Sequence, residues 1–308
     1  MMRGEAVIVD ALCKSYGSVE ALTGVAFSAH EGEIFGIIGP DGAGKTTLFR
    51  ILTTLLVPGS GSATVCGFDT VHDYREIRQR VGYMPGRFSL YQDLTVRENL
   101  DFFAKVFNTS VEANRALIED IYVQIEPFAN RRAGALSGGM KQKLALCCAL
   151  IHRPEVLFLD EPTTGVDPVS RKEFWEMLMR LKREGITILV STPYMDEASL
   201  CDRIAFIKGG RFLSVESPAA ISSLFDGDLL SVRGDSMYRL LLDLRRIPGV
   251  RACYAFGDSH HVTVEIGAIA PSDLASVLEK FGHKGIVVAP IEPLMEDCFM
   301  SLAGGAES

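Results

Sequence analysis

The stretch EIFGIIGPDGAGKTTLFRIL, residues 33–52, decides the fold. Its first part, residues 33–38, is a near-continuous apolar run, the pattern of a strand covered on both faces. Gly39-Pro40-Asp41-Gly42-Ala43-Gly44-Lys45-Thr46 then fits G-x-x-x-x-G-K-[ST] in full, with Thr47 next and a helix expected over about 44–56. The chemistry needs these residue types. The glycines let backbone N–H groups converge into an anion nest, and the helix N-terminus adds positive potential there. Lys45 supplies a compact charge for β- and γ-phosphates, and the Thr46 hydroxyl suits a Mg²⁺ ligand. A glycine-rich turn that merely carried a lysine would not need this full spacing between a strand and a helix.

VLFLDE at 156–161 is the matching second element. An apolar strand would deliver Asp160 to the metal at its C-terminal end, where doubly wound sheets gather their ligands. Glu161 would then orient or deprotonate an attacking water. Alone, a strand ending in Asp-Glu reads equally as a solvated strand end; beside the phosphate loop it reads as a nucleotide site.

Around these motifs the chain alternates. Strands are expected at 6–10 and 22–28, a turn at 58–61, and mostly helix over 73–152. Thr95-Val96-Arg97-Glu98 is a capping box, and Val96, Leu100 and Phe103 share one face of the helix it opens. A second helix is expected over 110–125, with 127–136 as a linker. After 155–160 come a helix from Pro168 to near Gly185, the buried strand ITILVS, and a hairpin RIAFIK-GG-RFLSV turned by two glycines. Beyond about residue 225 the expected order is β-α-β-β-α-β, a small split-βαβ domain with no catalytic motif.

With 308 residues, 47% of them hydrophobic, the chain can bury a substantial core and an extension. A net charge of −8 argues against a general nucleic-acid binder. The seven cysteines are scattered, without zinc or redox spacing, and read as reduced packing residues; Cys147 and Cys148 sit in an apolar helical run. The opening MMRGEAVIVD carries no apolar signal segment, and apolar runs such as LALCCALI at 144–151 fall far short of the roughly 18 residues of a membrane helix. Any membrane role is therefore expected through a partner.

Leu136-Ser137-Gly138-Gly139-Met140 opens a helix just before the VLFLDE strand. Here the sequence resembles the ATP-binding subunit of ABC transporters, over about residues 5–220. The resemblance implies a P-loop NTPase core with an antiparallel β subdomain and a helical insertion at about 86–152, all within 1–225, followed by an α+β extension at 226–308. It implies ATP and Mg²⁺ as ligands, with Thr46 and Asp160 on the metal, and a head-to-tail dimer in which Ser137, Gly138 and Gly139 cap the γ-phosphate held by the other subunit. Ser137 is a good N-cap and the glycine N–H groups lie at a positive helix end. Tyr16 lies where the family stacks an aromatic on adenine, although a surface tyrosine is the competing reading. Thr164-Gly165-Val166-Asp167 resembles the loop through which Asp167 meets the partner subunit. The ending PLMEDCF, residues 293–299, resembles the tail of the drug- and antibiotic-export subfamily, whose ATPase and permease are separate chains. Expected partners are thus an integral membrane permease and a second ATP-binding subunit, at the cytoplasmic face of the membrane, with no nucleic acid.

Two positions depart from the family. A glutamine usually follows the strand that reads VGYMP here; this chain has Gly86. A histidine usually follows ITILVST; this chain has Pro193, which offers neither imidazole nor backbone N–H. Met140 is a smaller departure. The leading expectation is an ATPase subunit driving export, its intrinsic rate lowered by Gly86 and Pro193. The alternatives are a degenerate subunit that holds ATP slowly and lends its LSGG to a more active, different partner, and a soluble ABC-type ATPase outside transport. The acidic charge and the exporter-like tail weigh against the last. A small-molecule P-loop kinase would have no use for LSGG.

Overall fold

The protein is described over residues 4–304 by a computed structural model, and the chain divides into two compact units, Met1–Pro218 and Ala219–Ser308. The boundary stands at 218/219 rather than 225/226. The short helix after Glu216 goes with the second unit, where Ser222 hydrogen-bonds the Cys298 thiol.

In the first unit β1 (Glu5–Tyr16) and β2 (Val19–His30) form an antiparallel hairpin. Both strands run well past the expected 6–10 and 22–28. β3 (Ile34–Ile38) is buried at every residue, and α1 (Lys45–Leu52) follows the phosphate loop. β4 (Ser60–Val65) and β5 (Phe68–Asp69) complete an antiparallel sheet of order β2-β1-β4-β5. α2 (Tyr74–Arg80) leads into β6 (Val81–Met84).

The helical insertion follows. α3 (Val96–Val106) is opened by the capping box: Thr95 Oγ1 accepts the Glu98 N–H at 3.2 Å and the Glu98 carboxylate accepts the Thr95 N–H at 2.8 Å. α4 (Arg115–Tyr122) is shorter than the expected 110–125, and short 3₁₀ turns at Glu126–Phe128 and Ala133–Ala135 occupy the expected linker. α5 (Gly138–Leu150) buries Cys147 and Cys148, whose thiols burial pushes well above the ordinary value.

β7 (Val156–Asp160), α6 (Pro168–Arg183) and β8 (Thr187–Thr192) resume the alternation. β9 (Arg203–Lys208) and β10 (Arg211–Glu216) form the hairpin; Gly209 and Gly210 both have positive φ, 54° and 75°, as its two-residue turn requires. The central sheet has order β10-β9-β3-β8-β7-β6, with every pair from β9 to β6 parallel. One core packs the antiparallel sheet, α1 and the central sheet together, with Phe49 edge-on to Phe158. This order sets the C-terminal ends of β3, β8, β7 and β6 side by side, and the site is built there.

The second unit takes in α7 (Pro218–Ser223) after its first residue, and then β11 (Asp228–Arg233), α8 (Met237–Leu244), β12 (Val250–Phe256), β13 (Ser259–Val264), α9 (Pro271–Lys280) and β14 (Val287–Pro290). Its sheet, β12-β13-β11-β14, is antiparallel throughout, the arrangement expected of a split βαβ chain. α10 (Met295–Gly304), which carries most of the PLMEDCF tail, is joined to the sheet by a buried pair, His261 Nδ1 to Asp297 Oδ1 at 2.8 Å.

Candidate nucleotide site

The phosphate loop is wedged between strands, which explains its glycines. A Cβ on Gly39 would run into the Ile207 carbonyl of β9, and Gly44, at φ 108°, has the Ala21 carbonyl of β2 behind it. Only glycine tolerates both the approach and that backbone conformation. Lys45 is 3% exposed. Its Nζ donates to the Gly39 and Pro40 carbonyls at 2.8 and 3.0 Å and lies 3.1 Å from Glu161 Oε1. The ammonium is therefore held at the mouth of the loop with its partners in place, pointing where a phosphate would sit.

β7 and β8 pair in register with Asp160 opposite Ser191. Ser191 Oγ donates to Asp160 Oδ1 at 2.7 Å, while the Glu161 N–H donates to the Ser191 carbonyl and hydroxyl at 3.0 and 3.1 Å. This clamp holds Glu161 at φ 50°, a left-handed conformation uncommon for a non-glycine residue and typical of functional sites. Thr46, Asp160 and Glu161 line one cleft of about 490 Å³ with Arg50, Tyr83, Gly86 and Arg87. Burial, with the Asp160 charge behind it, pushes the Tyr83 phenol up to about 12 against the opposing charge of Arg50.

The residues present fit a magnesium ion. Thr46 and Asp160 share the cleft, and the described residues hold no cluster of three or more His, Cys, Asp or Glu. One carboxylate and one hydroxyl, with phosphate oxygens and water for the rest, is the donor set Mg²⁺ takes at phosphate sites.

Ser137–Gly139 do not line this cleft. Ser137 caps α5, accepting the Met140 N–H at 3.4 Å; Gly138 faces open space, and a Cβ on Gly139 would approach Ser170 Oγ of α6 at 3.3 Å. Asp167 caps α6. The N–H groups of Ser170 and Val169 bond its carboxylate and hold it below the usual carboxylate range. Tyr16 ends β1, half-exposed, with Lys14 Nζ 5.9 Å above its ring. Gly86 is exposed, and a Cβ there would meet the Asp160 carbonyl oxygen at 3.0 Å and Glu161 Cβ at 3.8 Å. Position 86 therefore abuts the end of β7. Pro193 follows β8, whose Thr192 Oγ1 accepts the Tyr194 N–H at 3.0 Å.

Sequence reasoning missed Ser191, Arg50 and Arg87. Ser191 alone carried a signal, a polar residue near the C-terminal end of a strand with an apolar centre. It also missed a brace behind the site: Thr163 Oγ1 donates to the buried Glu197 carboxylate at 2.8 Å, and the Arg171 guanidinium stacks on Tyr194 at 4.1 Å.

A family model described as ABC transporter matches residues 22–164. The probable multidrug ABC transporter ATP-binding protein YbhF of Escherichia coli (strain K12) is 41% identical over 281 residues, 90% of this chain but 48% of that protein, so the chain spans about half the length of that relative. The Nod factor export ATP-binding protein I of Burkholderia orbicola (strain AU 1054) is 43% identical over 298 residues, 94% of each chain. Among solved structures, a dimeric ATP-binding cassette in a post-hydrolysis state, bound to ADP and Pi, superposes with a TM-score of 0.62 at 28% identity, over 68% of this chain and 98% of that one. Fold and site together define a P-loop nucleotide-binding domain of the ATP-binding-cassette type. The chain belongs to the ABC transporter family, among its ATP-binding subunits.

Proposed function

We propose that this chain binds MgATP and hydrolyses it slowly at the cytoplasmic face of a membrane, to power export through a separate permease. The observation that carries the reading is the meeting of Lys45 with Glu161 beside the cleft that Thr46 and Asp160 share. The backbone N–H groups of residues 39–47 and Lys45 would hold the phosphates, and Thr46 and Asp160 the magnesium. When bound, magnesium neutralises charge on the phosphate oxygens. Glu161, held by the Ser191 clamp, would orient the attacking water and take its proton as the γ-phosphoryl group leaves ADP. Tyr16 would stack on adenine.

No helix among the described residues is long and apolar enough to cross a membrane, so transport would need a membrane-spanning partner. An apolar groove of about 400 Å³ runs between β6, α3 and α5, with Met84, Leu90, Phe103, Phe107 and Ala149 among its lining residues. It begins at Pro85, beside Gly86, where the family seats its permease, and it is the proposed docking site.

Gly86 and Pro193 favour an asymmetric pair. This chain's own site would turn over slowly, while Ser137–Gly139 cap ATP on a different ATP-binding subunit, with Asp167 at the contact. The test is a pair of variants in the reconstituted complex. Glu161→Gln should reduce ATP turnover little, and Ser137→Arg should reduce it greatly by blocking the cap. Abolition of turnover by Glu161→Gln would make this chain's own site the catalytic one and end the asymmetric reading.

A further inference from the structure

The cleft in front of Asp160 and Glu161 holds more positive charge than the phosphate loop alone supplies. Three cations border it, and two are engaged. Lys45 Nζ is held by two carbonyls and Glu161, and the Arg50 charge acts on the Tyr83 phenol beside it. Arg87 also lines the cleft, is exposed, and makes no hydrogen bond or ion pair with the described residues. It follows Gly86, which has no side chain to stand between Arg87 and the end of β7. The family's glutamine would occupy that space, since the first atom of any side chain at 86 already lies 3.0 Å from the Asp160 carbonyl.

We propose that Arg87 reaches the terminal phosphate of bound ATP through the space left by Gly86, supplying part of the stabilisation that a glutamine at 86 and a histidine at 193 would give. This rests on the nucleotide reading above. A guanidinium is planar, always charged, and matches two phosphate oxygens at once. In phosphoryl transfer the charge spreads over the equatorial oxygens, and an arginine placed there stabilises it without exchanging a proton. The bond between the γ-phosphorus and the ADP oxygen breaks, the bond to the water oxygen forms, Glu161 takes the water's proton, and Arg87 keeps all of its own. Arg50, whose charge already acts on the Tyr83 phenol, is the less available of the two arginines.

A contact to the terminal phosphate separates ATP from ADP, so the test is nucleotide discrimination in the full chain. Affinities for MgATP and MgADP are measured by calorimetry for the wild type, Arg87→Ala and Arg87→Lys. Arg87→Ala should weaken ATP binding by about tenfold or more, as loss of a charged hydrogen bond does, and leave ADP binding within about twofold. Arg87→Lys, which keeps the charge and loses the fork, should fall between. Arg87 is exposed and unpaired, so folding is not at stake in either variant. Unchanged ATP affinity in Arg87→Ala, or equal weakening for ATP and ADP, would overturn the assignment while the nucleotide site stands. Absence of ATP binding by the wild type would overturn both.

Discussion

Lys45 and Glu161 meet at 3.1 Å because two backbone devices aim them at one point. The glycines of residues 39–44 bend the loop over the lysine, and the Ser191 clamp turns Glu161 into the left-handed region. Gly86 is the residue where the site is thinnest. Its φ is not in the left-handed region, so a side chain is conformationally admissible, and only the 3.0 Å approach to the Asp160 carbonyl must ease by a few tenths of an ångström. Gly86→Gln should therefore fold and restore a polar group beside Glu161. We expect single-turnover hydrolysis of bound ATP to rise by about tenfold, less than the 10²–10³ that a positioned donor commonly contributes, because Arg87 already carries part of that task. An unchanged or lower rate would show that a glutamine at 86 adds nothing to hydrolysis at this site.

At the scale of elements, what was legible followed the physics that is local in sequence. β3, β7 and β8 are apolar runs buried on both faces, and the capping box and two-glycine turn are contiguous signals; all appear where the sequence placed them. β1 and β2 run past the expected bounds because their outer halves carry polar residues such as the half-buried Lys14 and the exposed Ser15, which resemble loop. α10 lies beyond the expected elements, because PLMEDCF shows a likeness to a family tail rather than a helical period. Lys45, Thr46, Asp160 and Glu161 were legible because each sits in a short motif. Arg87 was not, because only the order β8-β7-β6 brings it to the cleft, and the role of Ser191 shows only once β8 pairs with β7.

His152 also lines the apolar groove beside β6. His152, just after α5, stacks on Phe107 with ring centroids 3.7 Å apart, and its Nε2 lies 3.0 Å from the Val81 carbonyl. Its Nδ1 is buried without a partner, and burial lowers its pKa from the ordinary 6.5. The unfolded chain thus binds the proton more readily than the folded one. This contribution to stability is fully present above about pH 6.5 and is lost as the pH falls below it toward the lowered value, by at most about 1.4 kcal/mol per pH unit. Thermal melting between pH 7.5 and 5.5 should show this loss, and His152→Phe, which keeps the stack, should flatten the profile relative to wild type. An identical pH profile in the variant would remove His152 as a source of the dependence.

For the whole molecule, the two units divide the labour unevenly. Met1–Pro218 holds every residue assigned to nucleotide, metal and partner contact. Ala219–Ser308 has its own core of Leu230, Val232, Leu240 and Val262, and two of its buried histidines face carboxylates: His261 with Asp297, and His283 with Asp243 at 2.9 Å. Any coupling of ATP to movement in a membrane partner must therefore start in the first unit, at the phosphate loop. The most direct measurement is the equilibrium affinity for MgATP of the full chain and of Lys45→Ala, read by calorimetry. The variant removes a buried ammonium whose proposed place is beside the β- and γ-phosphates, and a charged hydrogen bond of this kind is worth about 1.5–3 kcal/mol. The account expects the wild type to bind ATP and the variant to bind it about 10- to 100-fold more weakly. Equal affinity in the two proteins would contradict it.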